Sequence, residues 1–201
     1  MSDRHRTKST ASPALSRNRL RIIGGQWRGR KLEFPSIAAI RPTPDRVRET
    51  VFNWLQNDIA GARCLDLFAG SGALGLEALS RGAATVEFID CEPRIGQYLR
   101  ETLQLLNTSQ GNVHVADSLK WLATTEPPFD VVFLDPPFGA DVLPSVCQRL
   151  EQGGWLAPTA LIYIECSATA NLPQLPANWA VIKSKTAGQV GYHLARRMSR
   201  S

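Results

Sequence analysis

The chain has 201 residues, 43% of them hydrophobic and 20% charged, which excludes a disordered chain and suits one globular domain with a sizeable core and a small appendage. No stretch approaches the roughly 18 consecutive apolar residues that a membrane-spanning helix needs. Charge is unevenly placed: residues 1–50 hold 12 Lys/Arg against 4 Asp/Glu, a net of +8, while residues 51–201 hold 11 against 14, a net of −3.

A basic block on a near-neutral body is the electrostatic footprint of a polyanion-binding protein, against the plainer reading of a solubilising tail. Residues 1–18, within "MSDRHRTKSTASPALSRNRL", contain no apolar h-region and read as a disordered basic arm without a secretory signal. Residues 19–60 read as an RNA-binding extension. In it "RLRIIGGQWRGRKLEF" is a hairpin turning near Gly24-Gly25, with Arg28, Arg30 and Lys31 on its second limb; Trp27 either stacks on a base or anchors the hairpin to the body. "RPTPDRVRETVFNWL" then predicts a helix with Thr43 as N-cap, Pro44 at the first position and Asp45 in the first turn. Val47, Val51, Trp54, Leu55 and Ile59 form its buried face, which leaves Arg46 and Arg48 elsewhere; with Arg41 these arginines either contact RNA or shape a pocket.

Residues 61–201 alternate strand and helix through "RCLDLF", "ALGLEALSR", "TVEFID", "RIGQYLRETLQLLN", "NVHVAD", "SLKWLAT", "FDVVFLD", "VLPSVCQRLEQ" and "ALIYIE". Such alternation predicts a doubly wound parallel sheet, closed by "WAVIKSKTAGQVGYHLARR" as an antiparallel hairpin at the sheet edge that turns around Lys185 to Gly188. Cys64, Cys91, Cys147 and Cys166 are scattered without a CxxC pair, which indicates reduced thiols in a cytosolic protein. The three histidines have no partners in sequence, and no metal-binding cluster is visible.

Chemistry concentrates at strand ends. In "DLFAGSGALG", Gly70, Gly72 and Gly75 satisfy GxGxxG between a strand and a helix, but Asp66 ends the strand before them. A carboxylate there repels a pyrophosphate and attracts an ammonium. Asp90 ends the next strand about 20 residues on, the spacing of a ribose-binding acid, and Asp117 follows the third, where it is either a helix N-cap or a ligand group. Asp135 ends the fourth in "VVFLDPPFGAD", where two prolines stop the ladder and leave a rigid, donor-poor corner.

The glycine loop after an acid, the ribose acid and DPPF in that order resemble the class I S-adenosylmethionine-dependent methyltransferases of planar amino nitrogens. These have a Rossmann-like seven-stranded, mostly parallel sheet. With "RIIGGQWRGRKL" and "RPTPDRVRETVFNWL" the likeness extends past Arg19 to the bacterial 16S rRNA guanine-N2 methyltransferases. The resemblance implies that Asp66, Phe68, Gly70 and Gly72 hold the methionine end of S-adenosylmethionine, that Asp90 or the nearby Glu92 binds the ribose and that Asp117 accepts from adenine. It also implies that Asp135 and Pro136 orient the guanine amino group within a Pro136-Pro137 corner while Phe138 stacks on the base. The expected substrate is 16S rRNA, naked or within a small-subunit particle, in the cytoplasm, and the short extension and compact body favour a monomer. The competing expectations are a DNA adenine-N6 methyltransferase, for whose target-recognition region there is no room, a protein-glutamine N5 methyltransferase, and a non-enzymatic NAD- or RNA-binding module.

Overall fold

A computed structural model of the chain describes residues 18–36, 43–124, 126–137, 141–169 and 172–198. Two short strands open it, β1 (Asn18–Arg21) and β2 (Lys31–Phe34), paired antiparallel. The expected hairpin is present, but its turn is a longer loop from Ile22 to Arg30 containing one 3-10 turn at Gly25–Trp27. Helix α1 (Asp45–Trp54) follows, with Pro44 rather than Thr43 at the N-cap and no side-chain cap. The Thr43 hydroxyl is thereby free to bond elsewhere.

The body comprises β3 (Arg63–Asp66), α2 (Ala73–Ser80), β4 (Thr85–Asp90), α3 (Pro93–Leu105), β5 (Gly111–Val115), α4 (Ser118–Trp121), β6 (Phe129–Leu134), α5 (Leu143–Gln152), β7 (Leu156–Ser167), β8 (Trp179–Ala187) and β9 (Val190–Arg197). Their sheet has the order β5-β4-β3-β6-β7-β9-β8; β3 to β7 pair in parallel, and β9 runs antiparallel between β7 and β8. The C-terminal hairpin thus lies at the edge, as expected, with its turn at Gly188-Gln189, slightly beyond the expected position. Between β3 and β6 the strand order reverses, the point where open α/β sheets bind ligands.

Period-two alternation of apolar residues sends successive side chains to opposite faces. Cys64, Phe88, Val131 and Phe133 join α1, α2, α3 and the N-terminal hairpin on one face; Leu65, Ile89, Val132 and Leu134 join α4 and α5 on the other. Burial pushes the Cys147 thiol up to about 12, as suits a core position. Every residue of α2 is buried, because this short helix is sandwiched between the sheet and the hairpin. Among the described residues no helix is long and apolar enough to cross a membrane.

Candidate active site

The carboxyl ends of β3, β4, β6 and β7 form an acidic rim at the switch point. Asp66 closes β3 and is 2% exposed, its Oδ2 accepting the Gly75 N–H at 2.9 Å. That contact requires the third glycine: a Cβ on Gly75 would stand 2.3 Å from Phe88 Cε1 and 3.0 Å from Asp66 Oδ2. Gly72 caps α2 in the left-handed region (φ 73°), which favours glycine, and a Cβ there would meet Leu99 Cδ2 at 2.6 Å. The intervening loop is fastened from below, Leu67 N–H donating to the Phe133 carbonyl and Ala69 N–H to the Ile89 carbonyl.

Asp90 serves the same loop. Its Oδ2 accepts from Gly70 N–H (2.9 Å) and its Oδ1 from Glu92 N–H (2.8 Å), and each oxygen keeps a second lone pair for a ligand. Glu92 itself caps α3 and pairs with Arg94. Asp117 is exposed and caps α4 by accepting from Lys120 N–H at 3.0 Å, the structural alternative left open by its position in sequence. Phe68 is half-buried beside this side of the sheet.

Across the switch point, Asp135 leaves β6 half-buried, followed by buried Pro136 and exposed Pro137. Phe138 lies outside the described residues. Thr43 Oγ1, arriving from before α1, donates to Asp135 Oδ2 at 3.3 Å. Next to Asp135, at the end of the neighbouring strand, stands Glu165, 4% exposed, which accepts from the Tyr163 hydroxyl at 2.6 Å. Neither Thr43 nor Glu165 was expected at the site, although Glu165 carries the same signal as the four aspartates, an acid closing an apolar strand.

So many carboxylates in one place alter their acidity. Burial, aided by Asp135 and Asp90 and opposed by the Gly75 N–H, pushes Asp66 up to about 7. Burial likewise raises Asp135, against the Thr43 hydrogen bond, and raises Glu165, with Asp135 adding its repulsion. A cationic ligand relieves such a cluster, so this donor set fits an ammonium or a sulfonium.

The N-terminal extension is tied to α2, the helix that the glycine loop opens. Fully buried Glu77 accepts from Ile23 and Gly24 N–H, both at 2.8 Å, and from Arg81 and Arg48 at 2.7 and 3.4 Å. Trp27 is 9% exposed, with its backbone N–H on Ser80 Oγ, so it anchors the hairpin and is not presented for stacking. Arg48 requires a correction: at 1% exposed it cannot touch RNA, since its guanidinium is spent on Asp45, Glu77 and the carbonyls of Arg21 and Thr43. It shapes the site by seating Thr43. Arg28, Arg30, Lys31 and Arg46 are exposed, and Arg41 lies outside the described residues.

Comparison with known proteins identifies the family. The family described as "Conserved hypothetical protein 95" matches residues 20–196. Ribosomal RNA small subunit methyltransferase D of Escherichia coli K12 is 49% identical over 89% of this chain and 90% of its own. The Haemophilus influenzae protein of the same name is 44% identical over 89% and 94%. The solved structure of Escherichia coli yhhF superposes with a TM-score of 0.86 at 47% identity, covering 91% of this chain and all of that one. The protein belongs to the ribosomal RNA small subunit methyltransferase D family.

Proposed function

We infer that the protein transfers a methyl group from S-adenosylmethionine to the exocyclic N2 of a guanine in 16S rRNA. One observation carries this reading: a proline-locked carboxylate, Asp135, lies across the sheet's switch point from a glycine loop whose acids, buried Asp66 and half-buried Asp90, suit a cationic ligand. The relatives named as small-subunit rRNA methyltransferases supply the substrate class.

When bound, S-adenosylmethionine supplies an electrophilic methyl group on a sulfonium. Asp66, Phe68 and the backbone of Gly70 and Gly72 hold its methionine end, Asp90 its ribose and Asp117, through the Oδ2 that the α4 cap leaves unused, its adenine amino group. The guanine amino nitrogen is a poor nucleophile because its lone pair is delocalised into the ring. Asp135 and the Pro136 carbonyl accept its two N–H bonds and turn the lone pair toward the methyl, with Phe138 stacked on the base. Pro136 and Pro137 keep competing N–H donors out of the corner. Once the N–C bond has formed and the S–C bond has broken, Asp135 receives the proton that the nitrogen sheds.

The target base leaves its stack to reach this corner, and Arg28, Arg30, Lys31 and Arg46 grip the neighbouring phosphates. The enzyme works as a cytoplasmic monomer on the rRNA of a small-subunit particle. The test supplies S-adenosylmethionine with a labelled methyl to naked 16S rRNA, to small-subunit particles lacking the modification, to duplex DNA and to release-factor protein, followed by nucleoside analysis. Label in N2-methylguanosine is expected, strongest with particles. Label only in adenine of DNA or in protein glutamine overturns the substrate.

A further inference from the structure

Basic residues also gather at the other end of the chain. Residues 166–201 hold five Lys/Arg and no Asp/Glu, so the near-neutral body conceals a basic C-terminal hairpin. Of the described cations there, Arg197 is spent on Glu151. Lys183, Lys185 and Arg196 are exposed, and among the described residues none of the three makes an ion pair or a side-chain hydrogen bond.

Strand register places these cations relative to Asp135. Glu165 pairs with Tyr192, and Tyr192 with Lys185. Leu134 lies beside Ile164, so one step on a row runs Asp135, Glu165, Tyr192, Lys185 across β6, β7, β9 and β8. Three strand spacings separate its ends, about 14 Å. The next row holds Phe133, Tyr163, Leu194 and Lys183. Residues in register share a face, and this is the face under α1, from which Thr43 reaches Asp135. Arg196, paired with Leu161, stands on it too. Trp54 of α1 stacks on Tyr192 at 5.5 Å, so the helix covers the row as far as β9 and leaves the lysines of β8 in the open. A β-bulge turns them that way: Val181 pairs with Ala195 and Lys183 with Leu194, which leaves Ile182 as the extra residue. Without it Lys183 and Lys185 would pair with His193 and Gly191 and face α5. Lysines on an edge strand also keep other strands from adding to it. That accounts for Lys183 and Lys185 alone, since Arg196 lies on β9, paired on both sides.

We propose that Lys183, Lys185 and Arg196 form a second phosphate grip, which holds single-stranded rRNA on the flank of the target guanine opposite the N-terminal hairpin. The proposal rests on the rRNA substrate inferred above. The N-terminal hairpin is fastened to α2, which packs on β3 and β4, so in the sheet order its cations and those of β8 and β9 stand on opposite sides of Asp135. A base drawn out of its stack has backbone on both sides, and a strand held on both flanks presents that base in one orientation. Like-facing side chains along a strand stand about 6.6 Å apart, of the order of the distance between neighbouring phosphates, so Lys185 and Lys183 match successive phosphates.

The test measures binding to small-subunit particles lacking the modification, between about 50 and 200 mM salt, for wild type and for Lys183→Ala/Lys185→Ala/Arg196→Ala. The slope of log K against log salt should flatten by about two to three, and affinity near 0.1 M salt should fall by about 10- to 100-fold. S-adenosylmethionine affinity should not move. In single-turnover transfer the loss should fall on the half-saturating particle concentration and leave the saturated rate within about threefold of wild type. Lys183→Arg/Lys185→Arg keeps the charge and should keep the wild-type slope; a loss there equal to that of the alanine variant would mean that the lysines act through the fold, and would overturn the proposal. An unchanged slope in the alanine variant would leave the lysines as edge guards and overturn it as well. If wild type methylates no guanine in the particles, the substrate reading fails, and the slope difference on the same particles still decides the grip.

Discussion

On the β3–β4 side of the rim the carboxylates are fastened by backbone N–H groups, whereas on the β6–β7 side they are fastened by hydroxyls. Asp66 and Asp90 accept from Gly75, Gly70 and Glu92 N–H; Asp135 and Glu165 are held by Thr43 and Tyr163. A backbone N–H only donates, so it fixes an oxygen as an acceptor and favours the anion. A hydroxyl donates or accepts and tolerates either protonation state. In the function proposed above, the first half binds and the second reacts: backbone N–H groups hold carboxylate oxygens in place as acceptors for a cationic ligand, while a nitrogen that sheds a proton needs a neighbour able to take it.

The largest expected effect tests the reactive half. Asp135→Ala should lower single-turnover methyl transfer by about 100- to 1000-fold, the cost of losing one preorganised transition-state acceptor, while calorimetry finds S-adenosylmethionine affinity within about threefold of wild type. A variant that kept most of its rate would remove Asp135 from the chemistry and erase the contrast. Gly75→Ala strikes the binding half, because its Cβ would press on Phe88 and on the carboxylate of Asp66. We expect a loss of about 1–3 kcal/mol in denaturant unfolding, with weakened cofactor binding. Asp66→Asn sharpens the comparison through pH. Its folded pKa, about 7, lies above the ordinary 3.8, so the stability that Asp66 contributes is complete below about pH 4 and lost as pH rises through 7. The asparagine variant should therefore gain about 3 kcal/mol on the ligand-free wild type between pH 4 and pH 7. It should also bind S-adenosylmethionine more weakly at neutral pH, where the aspartate's charge is wanted.

The geometry of the β3–β4 side was legible in the sequence because its signals are local. A strand, an acid, glycines at fixed spacing and a helix lie within ten residues from Asp66 to Gly75, and backbone sterics explain each of them. The β6–β7 side was legible only where it is local, in the Asp-Pro-Pro corner. Thr43 reaches Asp135 across 92 positions and Glu165 sits on a strand thirty residues beyond it, so their meeting is a product of sheet order. Arg48 was misplaced for the same reason. An arginine in the first turns of a helix looks solvated in sequence, and only the docking of the hairpin on α2 supplies Asp45, Glu77 and two carbonyls to bury it. Trp27 could be read either as a base-stacking or as an anchoring residue until Ser80 claimed its backbone N–H.

That burial divides the basic extension into two kinds of arginine, and the smallest predicted effect depends on the division. Arg28, Arg30 and Lys31 are exposed, and the one hydrogen bond that their side chains make among the described residues, from Arg30 Nη1 to the Leu105 carbonyl, is long at 3.4 Å. Replacing all three with alanine should change stability by no more than about 0.5 kcal/mol per site, as is usual for surface positions. RNA affinity should fall, and the slope of log K against log salt should flatten by about one for each phosphate no longer neutralised, with S-adenosylmethionine affinity unchanged. Arg48→Ala should do the reverse, because it strips fully buried Glu77 of a partner and unseats Thr43: unfolding moves by about 3 kcal/mol and the salt slope stays put. If the triple variant left the salt slope unchanged, the hairpin's charge would serve solubility, and the polyanion would have to be gripped elsewhere on the chain.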